Sequence, residues 1–555
     1  MINLQPIYDI PQLCYLKGVR DVVLSPGSRC APITLAFARH TGIRKMIFPD
    51  ERSAAFTAMG LSRLTHLPTV LVCTSGSAAY NYAPAVAEAY FQQIPLLILT
   101  ADRPPEWIDQ LDGQTIRQND LYGRHVKASF TYPSDFSHPD KVWHAHRVLN
   151  EALNAAVQYP PGPVHINIPL REPFYPTDSF EFSQNLPVIE ALKPAYTLAS
   201  DKQEHLQTEL KSFSKILIVA GQADAQPELT NLLERLPVPV VADIISNHLS
   251  EKLVTCHDRF LGGTHKPADE LLAPELLITF GNAVISKSLK GFLRKNRPVA
   301  HWHIQPGTAG SADTYQTLSR QIPMDPFAFF EMLEQVTVQT GAYKKAWHEV
   351  QQKVAVPLSQ YLSAEPFSEL EVIDTILRNI PEHSVLHLAN SMPVRYANFA
   401  GLSKKNIEVV SNRGTSGIDG VISTAYGTAL ATDKLVTVLT GDMSFLYDRN
   451  AFWNNHLPSN LRIVLLNNHG GGIFRMIDGP ARQPEGEEYF VTRQPLTAEN
   501  TMKDFDVDYR RLATREAFGQ EIAHFYDRQG KSKVLEIETD GNTNTEVWKK
   551  IKAIM

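Results

Sequence analysis

Short, nearly continuous apolar runs recur along this chain, and most end in a polar, glycine-bearing tail. Up to about residue 180 they read "DVVLS", "KMIF", "TVLVC", "LLILT" and "VHINIP", with helical segments such as "APAVAEAYFQQ" between them. The rhythm returns with "KILIVAG", "VPVVAD", "ELLITFG" and "VAHWHIQ", and again with "SVLHLAN", "IEVVSN", "LVTVLTGD", "RIVLLNN" and "KVLEIE". A strand that is apolar on every residue has both faces covered, as in parallel sheets flanked by helices. The pattern predicts an α/β chain of three domains, each with a mainly parallel, doubly wound sheet, over residues 1–180, 190–345 and 365–555. Pro-rich "REPFYPTD" closes the first block. The blocks share size and rhythm, yet no sequence period links them.

Bulk properties exclude several classes. The 555 residues carry a net charge of -6 and no Lys/Arg-rich block, which argues against nucleic acid. The longest apolar runs fall far short of the roughly 20 residues a membrane span needs. The start, "MINLQPIYDI", carries an acid early and lacks a basic stretch before an apolar core, so no signal peptide is expected. Cys14, Cys30, Cys73 and Cys256 are scattered without a CxxC pair, which speaks against zinc or a disulfide scaffold and for a reducing cytoplasm. "IVAGQADAQ" offers one glycine where a dinucleotide loop needs three.

In open α/β sheets, ligands lie beyond the carboxyl ends of the strands. That is where the unusual residues fall: "LSPGSRCAP", "PDERSAA", "CTSGSAAYN", "TADRPPE", "ANSMPVR", "SNRGTSGIDG", "LTGDMSF" and "NNHGGGIF". Asp442 and Asn468 end successive apolar runs of the third block. Adjacent parallel strands would bring the two together as hard oxygen ligands suited to Mg²⁺, with glycines behind Asn468 that let a phosphate approach the backbone. Four arginines, Arg29, Arg103, Arg395 and Arg413, sit in strand-end loops. Guanidinium groups grip carboxylates with paired, charge-assisted hydrogen bonds, so this set predicts an anion pocket. Glu51, by itself, reads as a dipole partner of a helix start capped by Asp50.

The Gly-Asp of "LTGDMSF" followed by the double Asn of "NNHGGGIF" resembles the diphosphate–metal motif of thiamine-diphosphate enzymes. That resemblance gives Glu51 a role. In the family a glutamate at a strand-to-helix junction hydrogen-bonds N1′ of the cofactor's aminopyrimidine. "LSPGSRCAP", "FPDERSAAF", "CTSGSAAYN", "LTADRPPE", "GQTIRQNDLYG", "NSMPVR" and "SNRGTSGIDG" are together similar to one branch, the 2-succinyl-5-enolpyruvyl-6-hydroxy-3-cyclohexene-1-carboxylate synthases of menaquinone biosynthesis. The similarity spans nearly the whole chain.

The resemblance implies a transferase that decarboxylates 2-oxoglutarate on thiamine diphosphate and adds the succinyl unit to isochorismate. It implies Mg²⁺, or Mn²⁺, held by Asp442, Asn468 and the carbonyl of Gly470. Ser75, Gly76, Ser391, Gly417, Ile418, Gly441, Asp442, Met443, Ser444, Asn468, Gly472 and Ile473 are then the cofactor-binding positions, with Ile418 propping the bent cofactor. Ser28, Arg29, Arg103, Gln114, Lys287, Ser391, Arg395, Arg413 and Phe474 are the substrate-binding positions. Some members of that branch carry Lys-Arg where this chain has Lys287-Ser288, so the resemblance does not carry over a second basic contact from the middle block. A homodimer or homotetramer with active sites at subunit interfaces is expected. The competing expectation, an acetolactate synthase-like enzyme, would bind FAD and would not need the arginine set.

Overall fold

The apolar runs of the sequence form strands in a computed structural model that describes residues 4–172, 174–175, 179–263, 267–307, 310–402 and 406–555. Pro173 and residues 176–178 of the punctuation "REPFYPTD" lie outside the described residues. Three parallel-strand sheets with flanking helices make up an α/β architecture. The first contains β1 (Asp21–Leu24), β2 (Arg44–Ile47), β3 (Thr69–Cys73), β4 (Leu96–Asp102), β5 (Ser129–Thr131) and β6 (Pro163–Pro169), in the order β2-β1-β3-β4-β6-β5. The second contains β7 (Ile216–Ala220), β8 (Val240–Ala242), β9 (Leu276–Phe280), β10 (Ala300–Gln305) and β11 (Arg320–Pro323), in the order β11-β10-β9-β7-β8. The third contains β12 (Val385–Leu388), β13 (Glu408–Val410), β14 (Val436–Gly441), β15 (Leu461–Asn467), β16 (Asp508–Leu512) and β17 (Lys533–Glu538), in the order β13-β12-β14-β15-β17-β16.

The first and third sheets therefore have the same strand order, a repetition that no sequence period revealed. Their central strands are buried on every residue: β3 and β4 in the first sheet, β12 and β15 in the third. β4 pairs with β6 along its whole length, from Leu96 opposite Pro163 to Asp102 opposite Pro169. Three strands carried no apolar run: β5, β11 and β16. Each lies at a sheet edge, and each is partly exposed. An edge strand needs no continuous apolar face, so periodicity passes over it.

The chain packs as two compact units. One comprises residues 1–193 with 412–433 and 444–461, and the other residues 194–411, 434–443 and 462–555. In the first unit the helix Glu51–Thr65 lies against the helix Val421–Leu430 through reciprocal glycines. A Cβ at Gly60 would fall 2.0 Å from the Thr424 carbonyl oxygen, and one at Gly427 would fall 2.0 Å from that of Thr57. The two backbones approach this closely only because neither glycine has a side chain.

Candidate active site

In both six-stranded sheets the order turns back at the first strand, so the connections that follow β1 and β3, and likewise β12 and β14, lead to opposite sides of the sheet. Such a switch point is where open α/β sheets take their ligands. The segments after β1 and β3 carry Ser28, Arg29, Ser75 and Gly76. Those at the ends of β12 and β14 carry Ser391, Gly441, Asp442 and Met443.

In the first unit, Asp50 is the N-cap of the Glu51–Thr65 helix. It accepts from the Ser53 amide at 3.0 Å and from Asn450 Nδ2 at 2.6 Å. Arg52 donates to the Tyr447 carbonyl at 2.6 Å and lies over the Tyr447 ring at 4.5 Å. The first helical turn is thus clamped on both sides of Glu51. Glu51 is half-buried, and its Oε2 accepts from Asn81 Nδ2 at 3.2 Å. Burial, and then the neighbouring Cys30 and Glu51, keep the Cys73 thiol at the end of β3 well above its usual range.

Gly76 has φ +87°, and a Cβ there would meet the Gln114 backbone at 3.4 Å. Its N–H donates to Gln118 Oε1 at 2.9 Å, while Gln118 Nε2 donates to Asn167 Oδ1 at 3.0 Å. Gln118 therefore holds the loop that carries Gln114 against Gly76. Arg103, in the same loop, pairs with Asp112 at 3.1 Å and donates to the Gly113 carbonyl at 2.7 Å. Arg29 is buried, donates to the Leu170 carbonyl at 2.9 Å and lies 4.5 Å over Phe174. Ser28 is exposed, 3.3 Å from the Tyr175 hydroxyl. Glu88, fully buried, accepts from the amides of Gly414 at 2.7 Å and Thr415 at 2.6 Å, and so pins the loop of Arg413 and Gly417. Ser444 donates to the Ile418 carbonyl at 2.6 Å. Ile418 is 38% exposed and so is not part of the apolar core.

In the second unit, Ser391 caps the helix Met392–Ala400 with φ 74° and ψ -129°. A residue with a Cβ is strained there, and such strain concentrates at functional sites. Arg395 donates back to the Ser391 carbonyl. A cavity of about 180 Å³ brings together Lys287, Arg395 and Ile473 from the predicted set, and its wall includes Ser288, Asp258, Trp548 and Lys552. Asp258 is engaged with Asn398 Nδ2 at 2.7 Å and with Ser286 Oγ. Phe474 does not line this cavity, and its ring packs 5.8 Å from that of Phe490.

Asp442 follows β14 and is 3% exposed. Its Oδ1 accepts from the Met443 amide at 2.8 Å and its Oδ2 from Gln494 Nε2 at 2.9 Å. Asn468, just beyond β15, donates from Nδ2 to Glu369 Oε1 at 2.6 Å. Its Oδ1 is buried and accepts no hydrogen bond among the described residues. The Gly470 carbonyl accepts from the Gly472 amide at 2.9 Å. A Cβ at Gly472 would lie 2.9 Å from Asn468 Nδ2, and Gly441 opens onto free space. Burial pushes Glu369 up to about 7 and also raises Asp442. The buried Asp442 carboxylate, the unpaired Asn468 amide oxygen and the Gly470 carbonyl are hard oxygen donors of the kind that fits a divalent cation. Among the described residues no group of three or more His, Cys, Asp or Glu is arranged to hold a metal. The set here mixes a carboxylate, an amide and a carbonyl instead.

Sequence reasoning missed Glu88, Gln118, Glu369, Gln494 and Lys552. Gln118 falls inside the quoted segment "GQTIRQNDLYG" without standing out there, and the other four belong to no strand-end motif. Glu369 reads as an acid in a first helical turn and Lys552 as a base in a last one.

Comparison with known proteins identifies the family. The family described as "Thiamine pyrophosphate enzyme, N-terminal TPP binding domain" matches residues 12–122, and "Middle domain of thiamine pyrophosphate" matches residues 191–388. A 2-succinyl-5-enolpyruvyl-6-hydroxy-3-cyclohexene-1-carboxylate synthase of Cytophaga hutchinsonii is 47% identical, covering 99% of this chain and 98% of its own. Proteins of the same name from Desulfotalea psychrophila and Flavobacterium johnsoniae are 37% and 36% identical, the first covering 97% of this chain and 98% of its own, the second 97% of each. The chain belongs to the 2-succinyl-5-enolpyruvyl-6-hydroxy-3-cyclohexene-1-carboxylate synthase family of thiamine-diphosphate enzymes.

Proposed function

We propose that this protein decarboxylates 2-oxoglutarate and adds the resulting succinyl unit to isochorismate, as a transferase of menaquinone biosynthesis. The observation that carries the reading is buried Asp442 beside the unpaired Oδ1 of Asn468, at the carboxyl ends of neighbouring strands of the third sheet. Asp442, Asn468 and the Gly470 carbonyl would hold Mg²⁺ or Mn²⁺, and the cation would hold the diphosphate. Thiamine diphosphate, when bound, supplies a carbon nucleophile and an electron sink for loss of CO₂. Glu51 would hold a proton at the pyrimidine N1′ atom. Ile418, exposed on its pinned loop, would prop the cofactor, with Ser75, Gly76, Ser391, Gly417, Gly441, Met443, Ser444, Gly472 and Ile473 around it.

Both substrates are dicarboxylates, and the cations present match them. Lys287 and Arg395 share one cavity wall. Arg29, Arg103 and Arg413 lie on strand-end loops with Ser28, Gln114 and Phe474 as further contacts. We assign a pyrimidine-binding domain to residues 1–180, a central domain to 190–345 and a diphosphate-binding domain to 365–555. We also assign a cytoplasmic homodimer or homotetramer with its active sites at subunit interfaces.

The test combines the protein with thiamine diphosphate, Mg²⁺, 2-oxoglutarate and isochorismate, and measures CO₂ together with the coupled product. Both are expected. Equal turnover of pyruvate, or a yellow protein carrying FAD, would overturn the substrate assignment.

A further inference from the structure

We propose that Glu369 is a positioning residue that decides which end of the Asn468 amide faces the metal. The inference rests on the metal assignment above and adds to it the group that orients a ligand. A side-chain amide is nearly symmetric in shape but not in chemistry: its oxygen can ligate a cation, while its NH₂ group can only donate. Asn468 Nδ2 donates to Glu369 Oε1 at 2.6 Å. Turned about, the amide would set its oxygen against a carboxylate oxygen and present two N–H groups to the cation. Glu369 thus selects the orientation in which Oδ1, buried and without a hydrogen bond, is left as the ligand.

Glu369 is itself held firmly. It is 2% exposed and is the first residue of the helix Glu369–Asn379. Its amide donates to Asn544 Oδ1 at 3.0 Å, and Asn544 Nδ2 donates in turn to Thr539 Oγ1 at 2.9 Å. Gly472 leaves room for the Asn468 NH₂ group, since a Cβ there would lie 2.9 Å from it. Asp442 is oriented in the same manner, by the Met443 amide on one oxygen and by Gln494 on the other. Outer partners of this kind set ligand direction, and their loss typically weakens metal affinity by about 10–100-fold.

The experiment titrates Mn²⁺ into protein saturated with thiamine diphosphate at pH 8 and follows the free-ion electron paramagnetic resonance signal. Glu369→Met, close in volume but unable to accept, is expected to weaken Mn²⁺ binding by about 10–100-fold. The double variant Glu369→Gln/Asn468→Asp exchanges donor and acceptor, giving residue 369 the NH₂ group and residue 468 only oxygens. It is expected to bind within about threefold of wild type, a recovery that a merely structural role for Glu369 would not give. Unchanged affinity in Glu369→Met, or a double variant as weak as Glu369→Met, would overturn the inference while leaving the metal assignment standing. A wild-type protein that takes up no Mn²⁺ would overturn both.

Discussion

Glu51 stands on a helical turn that Asp50 and Arg52 clamp from either side, so its carboxylate can be changed without loosening the backbone. Glu51→Gln is expected to keep the fold and the melting temperature while slowing exchange of the cofactor's C2 proton by orders of magnitude. Hydrogen–deuterium exchange at C2, followed by NMR, decides this, and near-wild-type exchange would remove Glu51 from its assigned role. His165 supports a prediction of a different kind. It is buried between Thr100 Oγ1, at 2.7 Å, and Ser129, and burial pushes its pKa down to about 3. The unfolded chain protonates this imidazole below about pH 6.5, whereas the folded protein does not until near pH 3. Its contribution is therefore complete above pH 6.5 and is lost as pH falls through that window. His165→Gln should flatten the dependence of stability on pH by about 1.4 kcal/mol per unit between roughly pH 6 and 4. Denaturant titrations across that range measure the slope. An unchanged slope would show that the imidazole is already charged in the fold.

Among the elements, the paired helices Glu51–Thr65 and Val421–Leu430 have no slack at their crossing. Gly60→Ala or Gly427→Ala places a methyl group where a carbonyl oxygen already stands. Each is expected to cost about 1–3 kcal/mol and to lower the thermal midpoint, despite the better helix propensity of alanine. The helix Gly541–Ile554 enters the argument through Lys552, which shares the cavity of Lys287 and Arg395. Ser288 stands on the same wall, where the sequence lacks a second base. Lys552 supplies that charge from a remote part of the chain. Lys552→Met is expected to raise KM for a dicarboxylate substrate by about tenfold, a loss of roughly 1.4 kcal/mol in keeping with one charge-assisted contact, without weakening thiamine diphosphate binding. Arg395→Ala should act in the same direction and more strongly. Steady-state kinetics with each substrate varied in turn, beside a cofactor titration, separate the two effects. Equal losses in both would count against a substrate role.

For the whole molecule, the proposed sharing of active sites between subunits predicts complementation. Glu51→Gln and Asp442→Ala each remove one half of a site. Allowed to exchange subunits, two inactive preparations should together recover up to about one quarter of wild-type activity, because half of the dimers are hybrids with one intact site. No recovery after verified exchange would mean that each subunit builds its own site. How much of this was written in the sequence follows from what local residues can encode. Buried central strands must be apolar throughout, so β3, β4, β12 and β15 announce themselves, and with them the α/β class and the strand ends where Asp442 and Asn468 sit. Edge strands β5, β11 and β16 are half solvated and leave no such mark. The shared strand order of the first and third sheets is a property of connections, and sequence periodicity does not register it. Asp442, Asn468 and the arginines stand out because strand-end loops carry them on short, contiguous segments, whereas Glu51 gains its expected role only through the family resemblance. Glu88, Glu369, Gln494 and Lys552 lie far from those loops in sequence and reach them only through packing. Most residues proposed to touch a ligand were thus legible in local sequence, whereas Lys552 on the cavity wall and the residues that aim the others were decided by the tertiary fold, because a contact depends on where atoms meet in space.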